Sequence, residues 1–323
     1  MEKQPCINAT EYPGGVLAID TGFMRQRMAC SYLLEADSEA AFIETGVNSS
    51  VPALLAALAR RGWQRSDVRY VIVTHVHLDH AGGAGRLMQE LPDATLLVHP
   101  RGARHMIEPA RLEASVRRVY GDAFFDATYG TLLGVEASRT REMPDGATVM
   151  LGDRELLFAD TPGHARHHFC VWDSRTRGWF AGDTFGLSYR ELDTKRGPFI
   201  FPTTTPIEFD PPVLIDSIQR LLERDPAWMY LTHYGRVGEV QRLAGQLVAG
   251  IRMLADTGER YEHEAERSAG IRDAFSQWLV EAVREHGVTL PDDELAPVLE
   301  PDIELNTQGV DVWLDRRQQA ASA

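Results

Sequence analysis

The sequence predicts an α/β protein in which short strands form a sandwich, followed by a C-terminal helical extension. Three observations carry this expectation. Apolar or β-prone runs recur between turn residues from Val16 onward, and several of them end directly on histidine or aspartate. Beyond residue 235 the apolar residues fall at helical spacing instead, as in Val240, Leu243, Leu247, Val248, Ile251 and Leu254. We therefore expect a site-bearing domain over residues 1–235 and a helical extension over residues 236–323.

Taken in order, Val16 to Ile19, Ser31 to Leu34 and Ala41 to Glu44 read as a β-meander, bounded by Gly14-Gly15, Thr21-Gly22, Ala36-Asp37-Ser38 and Thr45-Gly46. Pro52 opens a helix carrying Leu54, Leu55, Leu58 and Ala59, which stops near Gly62. Tyr70 to Thr74 is a buried strand. The following Gly82-Gly83-Ala84-Gly85 lacks the Lys-Ser/Thr of a phosphate loop, so its small residues are read as close packing under a helix at about Gly85 to Glu90. Thr95 to Val98 is a strand, and His99 to Tyr120 is helical and divided by Pro109, its arginines forming a solvated face. Tyr120, Phe124, Phe125 and Tyr129 are dense enough to read as core, and an insertion there could also lid a pocket. Further strands run from Leu156 to Ala159, Trp179 to Ala181 and Met229 to Thr232. A second helical set, Phe275, Trp278, Leu279, Ala282 and Val283, is followed by Pro291, Pro297 and Pro301, which predict an irregular link. Leu305, Val312, Trp313 and Leu314 then predict a short docked segment.

The 323 residues suffice for one large domain or for a core domain with a smaller one. A net charge of −14 opposes binding to a phosphate backbone, which excludes nucleic acid as an expected partner. No apolar stretch approaches a membrane span, and Met1 to Asn8 has no basic segment leading into an apolar one. We expect a cytoplasmic protein with a small-molecule substrate and no membrane partner, in which Cys6, Cys30 and Cys170 are ordinary reduced thiols. A homodimer through the C-terminal helices is an open expectation.

The most informative stretch is His75-Val76-His77-Leu78-Asp79-His80, four metal-capable side chains in six residues at the mouth of a strand. Imidazole and carboxylate together suit a borderline transition metal such as zinc. Three more strands end on donors, at Asp160-Thr161-Pro162-Gly163-His164, Gly182-Asp183-Thr184 and His233-Tyr234-Gly235. Strands of one sandwich can bring their ends to a single edge, where rigid elements hold a site.

In order and context, His75-x-His77-x-Asp79-His80, Thr161-Pro162-Gly163-His164, Gly182-Asp183-Thr184 and Thr232-His233 resemble the motifs of the metallo-β-lactamase-fold hydrolases, especially the glyoxalase II-like branch. The resemblance spans about residues 16–235. It implies a four-layer αββα sandwich with two divalent metal ions, zinc foremost and iron or manganese as alternatives. By the same resemblance His75, His77 and His164 hold metal 1, Asp79, His80 and His233 hold metal 2, and Asp183 bridges them. His168 falls in the shell that orients ligands, and His167 has no implied role.

The implied chemistry is attack on a small ester, thioester or lactone by a hydroxide shared between the metals, with one metal polarising the carbonyl. Asp79 is a candidate for the chemistry as well as for the metal. Tyr189 and Tyr234 are candidate acids or oxyanion contacts, with packing as the alternative reading of each. Exported β-lactamases of this fold generally lack a bridging aspartate, and lactonases tend to carry a tyrosine where Gly186 stands. Residues 236–323 hold nine basic against seventeen acidic side chains, a balance of −8, which disfavours a glutathione thioester. The remaining alternatives are a small-molecule phosphodiesterase, a mononuclear-iron sulfur dioxygenase and a non-catalytic regulatory binding module.

Overall fold

A computed structural model of the protein describes residues 8–204 and 208–321; Cys6 and the first seven residues lie outside them. The chain forms two compact units. The first comprises the residues up to Asp160 with His167–Gly182 and Ala227–Arg236; the second comprises Thr161–Arg166, Asp183–Pro226 and the residues from Val237 onward.

In the first unit, a sheet takes the strands β1 (Ala9–Tyr12), β2 (Val16–Asp20), β3 (Cys30–Ala36), β4 (Glu39–Ile43), β5 (Val68–Ile72), β6 (Thr95–Val98) and β7 (Thr140–Glu142) in chain order. The first four pair antiparallel and the last four parallel. The parallel crossovers carry α1 (Val51–Arg60), then α2 (Leu78–Ala81) and α3 (Ala84–Glu90), then α4 (Pro100–Ile107), α5 (Ala110–Tyr120) and α6 (Asp122–Thr128). A second sheet orders β8 (Thr148–Leu151), β9 (Arg154–Asp160), β10 (Phe169–Asp173), β11 (Gly178–Gly182), β12 (Trp228–Leu231) and β13 (Gly235–Val237) from edge to edge.

Side chains alternate across a strand, and both faces of the first sheet are covered, so its strands read as continuous apolar runs rather than alternating ones. Leu17, Ile19, Leu33, Phe42 and Val71 face Leu54, Leu58, Leu87 and Met106 of the helices. Their neighbours Val16, Ala18, Tyr32, Leu34 and Ile72 share the other core with Phe158, Phe169, Val171, Phe180 and Tyr230 of the second sheet. Helix, sheet and sheet are thus three layers of an αββα fold, and the remaining helices belong to the second unit.

At one end of the second sheet, Arg154 and Asp173 form a fully buried pair, with two guanidinium–carboxylate contacts at 2.9 and 2.6 Å. Arg154 also donates to the carbonyls of Gly14, Gly15 and Glu35, tying the first hairpin to the second sheet.

The ladder of β5 ends at Ile72, two residues short of the expected strand end, because Val73 and Thr74 already lead into the site. Gly83 and Gly85 pack closely, as expected: a Cβ on Gly83 would lie 2.8 Å from the Val47 carbonyl oxygen, and one on Gly85 1.9 Å from that of Leu133. Cys30 and Cys170 are buried, and burial pushes the Cys30 thiol up to about 12.

The second unit contains α7 (Pro211–Leu222), α8 (Val240–Tyr261), α9 (Arg267–Glu285) and α10 (Asp292–Ala321). Asp210 caps α7 by accepting from the Val213 amide, and two prolines occupy its first turn, where no N–H is required. The irregular link expected at Pro297 and Pro301 is instead part of the single helix α10. An interior proline destabilises a helix by about 3 kcal/mol. Here buried Leu295, Leu299, Ile303, Val310 and Leu314 supply an apolar stripe that outweighs this. Among the described residues, no helix is long and apolar enough to cross a membrane.

Candidate metal centre

The local backbone explains how one short stretch can serve two sites. His75 and His77 lie in the irregular segment between β5 and α2, where their rings meet edge-on with centroids 4.3 Å apart. His75 Nε2 lies 2.8 Å from His77 Nδ1. The chain then enters the single helical turn of α2, in which His77 occupies the N-cap and its carbonyl accepts from the amides of His80 and Ala81. Successive residues on a helix diverge by about 100°, so Asp79 leaves the line of the first two histidines, while the His80 ring remains 4.1 Å from that of His75. Asp79 Oδ2 stands 3.5 Å from His80 Nε2 and 3.2 Å from His233 Nε2. A donor atom from each of these three residues lies within 4.8 Å of the others.

In the second unit, His164 Nε2 and Asp183 Oδ2 meet at 3.3 Å. Their loop is set by the start of α7: the Gly163 carbonyl accepts from the Asp210 amide, and Ser217 Oγ donates to the Pro162 carbonyl at 2.6 Å. Gly163 has φ +116°, and a Cβ there would fall 2.3 Å from the Leu214 nitrogen.

These separations can be compared with the edge of a zinc tetrahedron, about 3.3 Å for donors about 2.0–2.1 Å from the ion. The pairs at 2.8, 3.2, 3.3 and 3.5 Å bracket that edge. The other ring nitrogens are tied back. His80 Nδ1 lies 3.1 Å from Glu44 Oε1, His233 Nδ1 is 2.7 Å from the Met28 carbonyl, and His164 Nδ1 is 3.3 Å from that of Thr203. Each acceptor fixes the proton on Nδ1 and leaves the Nε2 lone pair for a metal. His75 follows the same rule through Thr74, whose hydroxyl lies 3.0 Å from its Nδ1 and donates to Glu44.

Glu44 was not among the sequence candidates. It follows β4 with φ +64°, is buried, and accepts from the Thr74 amide and hydroxyl and from Thr232 Oγ1. The signal was present, since the expected strand Ala41 to Glu44 also ends on a potential donor. Glu44→Ala removes the acceptor that fixes His80, and a 10- to 100-fold loss of metal affinity is expected, in line with other outer partners of metal ligands. Competition titration against a chromogenic chelator measures it, and an unchanged affinity would contradict this role.

His168 is buried and stacks on the His75 ring at 4.8 Å. Gly182 makes room beside it, for a Cβ there would lie 2.5 Å from both His168 Nε2 and Thr74 Oγ1. His167 is half-buried, edge-on to His77 at 5.6 Å. The two tyrosine candidates are both packed. Tyr189 is buried edge-on against Phe201 at 5.8 Å. Tyr234 belongs to the core between the sheets, and burial raises its phenol well above the usual range.

The family model for the metallo-β-lactamase superfamily matches residues 24–233, and the chain belongs to this superfamily. It is 25% identical over 237 residues to the metallo-β-lactamase fold-containing protein ST1585 of Sulfurisphaera tokodaii, covering 72% of this chain and 80% of that protein. The solved structure of ST1585 superposes with a TM-score of 0.63 over 95% of this chain and 99% of that one at 23% identity; TTHA1429 of Thermus thermophilus gives 0.58 over 87% and 93% at 22%. These likenesses show the fold. A hydroxyacylglutathione hydrolase of Rhodopseudomonas palustris is 29% identical over 145 residues, spanning 43% of this chain and 44% of that enzyme.

Proposed function

We propose that the protein is a dinuclear metal-dependent hydrolase acting on a small ester, thioester or lactone. In this reading His75, His77 and His164 hold one ion, Asp79, His80 and His233 hold a second, and Asp183 bridges them. Zinc is the metal this donor set suits best, with iron and manganese accepted by the same ligands. When bound, two such ions supply Lewis acidity and lower the pKa of a water toward about 7. The chain's own part is orientation: Glu44, Thr74 and the carbonyls of Met28 and Thr203 hold the rings with Nε2 presented. The buried Asp183 and the half-buried Asp79 supply the negative charge that favours dications.

The observation that carries the reading is the second donor set, with Asp79 Oδ2 facing both His80 and His233. A mononuclear iron dioxygenase does not need it. Likeness to hydroxyacylglutathione hydrolase supports the thioester class. The acidic balance of residues 236–323 disfavours glutathione itself as the thiol portion.

A panel of thioester, lactone, aryl ester and phosphodiester substrates tests the proposal on protein purified without added metal. The expected result is acyl turnover that a chelator abolishes and added metal restores. A fully loaded protein inert toward every acyl compound, or one that cleaves only the phosphodiester, would overturn it.

A further inference from the structure

An aromatic cluster in the first unit is not used by the metal centre. Among the described residues, the large apolar side chains that stand exposed are Met24 (58%), Val119 (45%), Tyr120 (39%) and Met150. Three of the four come from two segments that meet. Phe23, beside Met24, stacks on Tyr129 with ring centroids 6.3 Å apart; Tyr129 meets Phe124 at 6.2 Å, and Phe124 stacks on Tyr120 at 5.4 Å. The rings form a continuous row across the β2–β3 loop and the α5–α6 corner.

The row is braced from beneath. Arg117 pairs with Glu113, Asp122 and Asp126, and its guanidinium sits 4.1 Å over the ring of the buried Phe125, joining α5 to α6. Phe23 and Tyr129 are themselves buried and Phe124 is half-buried, so it is Tyr120, with Met24 and Val119, that presents the apolar surface of the row to water, and an apolar patch held this firmly is placed for binding.

The Phe23–Tyr129 end of the row shares backbone supports with the metal donors. Asn48 donates to the carbonyls of Tyr129 and Thr131 at 3.0 and 2.8 Å, and three residues earlier Thr45 donates from its amide and hydroxyl to the His80 carbonyl. Next to Tyr129, the loop bearing Phe23 is closed by Asp20, which accepts from the amides of Gly22 and Arg27, and its Met28 carbonyl holds His233. After burial, the charge of Asp79 is the strongest influence on the phenols of both Tyr120 and Tyr129, and the first is raised to about 12. These backbone supports, through Thr45 to His80 and through Met28 to His233, place the row beside the metal donors.

We propose that Phe23, Tyr120, Phe124 and Tyr129 form the wall that seats an apolar acyl chain of the substrate, with the reacting carbonyl toward Asp79. This deepens the hydrolase reading and rests on it for the reaction, though not for the binding. It makes the preferred substrate an ester, thioester or lactone bearing several methylenes, rather than a short or polar acid.

Two homologous series presented to the metal-loaded full chain test this: p-nitrophenyl esters from acetate to decanoate, read by kcat/KM, and the carboxylates from butanoate to decanoate, read by calorimetry. Both kcat/KM and carboxylate affinity are expected to rise over several methylenes, by up to about fourfold for each one fully buried. Tyr120→Ser and Phe124→Ser should flatten both slopes, and Tyr120→Phe, which keeps the ring, should preserve them. A carboxylate slope without ester turnover would sink the hydrolytic reading and leave the wall standing. Slopes flat in the unaltered protein, or unchanged by both serine substitutions, would overturn the wall. So would serine variants that convert a dimer to a monomer without touching the slopes, since the row would then hold a second copy of the chain.

Discussion

Asp79→Ala is expected to leave one tightly held metal per chain and to reduce turnover of any accepted acyl substrate by more than about a hundredfold. The magnitude follows from comparison with outer partners of metal ligands, whose loss alone reduces affinity or activity about 10- to 100-fold; a direct donor should exceed that. Preferential loss of one metal follows from the backbone. Asp79 leaves the line of His75 and His77 at the start of α2 and faces His80 and His233 instead. Elemental analysis paired with kinetics on the same preparation reads both effects. Equal loss of both metals would contradict the division of donors within this stretch.

Arg154→Met is expected to lower stability by about 3–5 kcal/mol, because it strands the Asp173 carboxylate in the interior with its charged partner removed. Both members of the pair are fully buried, and the guanidinium also serves two carbonyls of the first hairpin, Gly14 and Gly15, and that of Glu35 in β3. The double replacement Arg154→Met with Asp173→Leu should recover part of the loss, since a buried pair stabilises little relative to apolar residues of similar volume. Urea denaturation of the two variants beside the unaltered protein decides the matter. A single-variant loss below about 1 kcal/mol would mean that water reaches Asp173 and that the pair is not sealed.

Most elements were legible because packing wrote them into the sequence. The inner strands β2 to β6 are apolar on both faces, and α8 and α9 carry their apolar residues at helical spacing. Of the elements outside the expected set, β10 (Phe169–Asp173) is a fully buried apolar run, and the others lack such a continuous run. β1 is a polar edge strand, Ala9–Tyr12, and nothing in its side chains separates it from a loop. The prolines of α10 speak for a break, and only the buried face of that helix, a tertiary feature, overrides them. In the aromatic stretch Phe125 and Tyr129 are core, as expected, whereas Tyr120 stands partly in water.

At the site, the histidine and aspartate donors could be read because imidazole and carboxylate at successive strand ends have few other reasons to recur. Their supports could not. Met28 and Thr203 act through backbone carbonyls, which any residue possesses, and Glu44 acts from the end of β4, where an acidic residue also reads as a turn former. Orientation of the rings is therefore information that only the folded chain carries.

The central claim, a two-metal hydrolase, is tested most directly by the metal content of the full-length protein at saturation, measured by elemental analysis after removal of loosely bound ions. Two ions per chain, both required for acyl turnover, is the result expected. One ion per chain in fully active protein would contradict it.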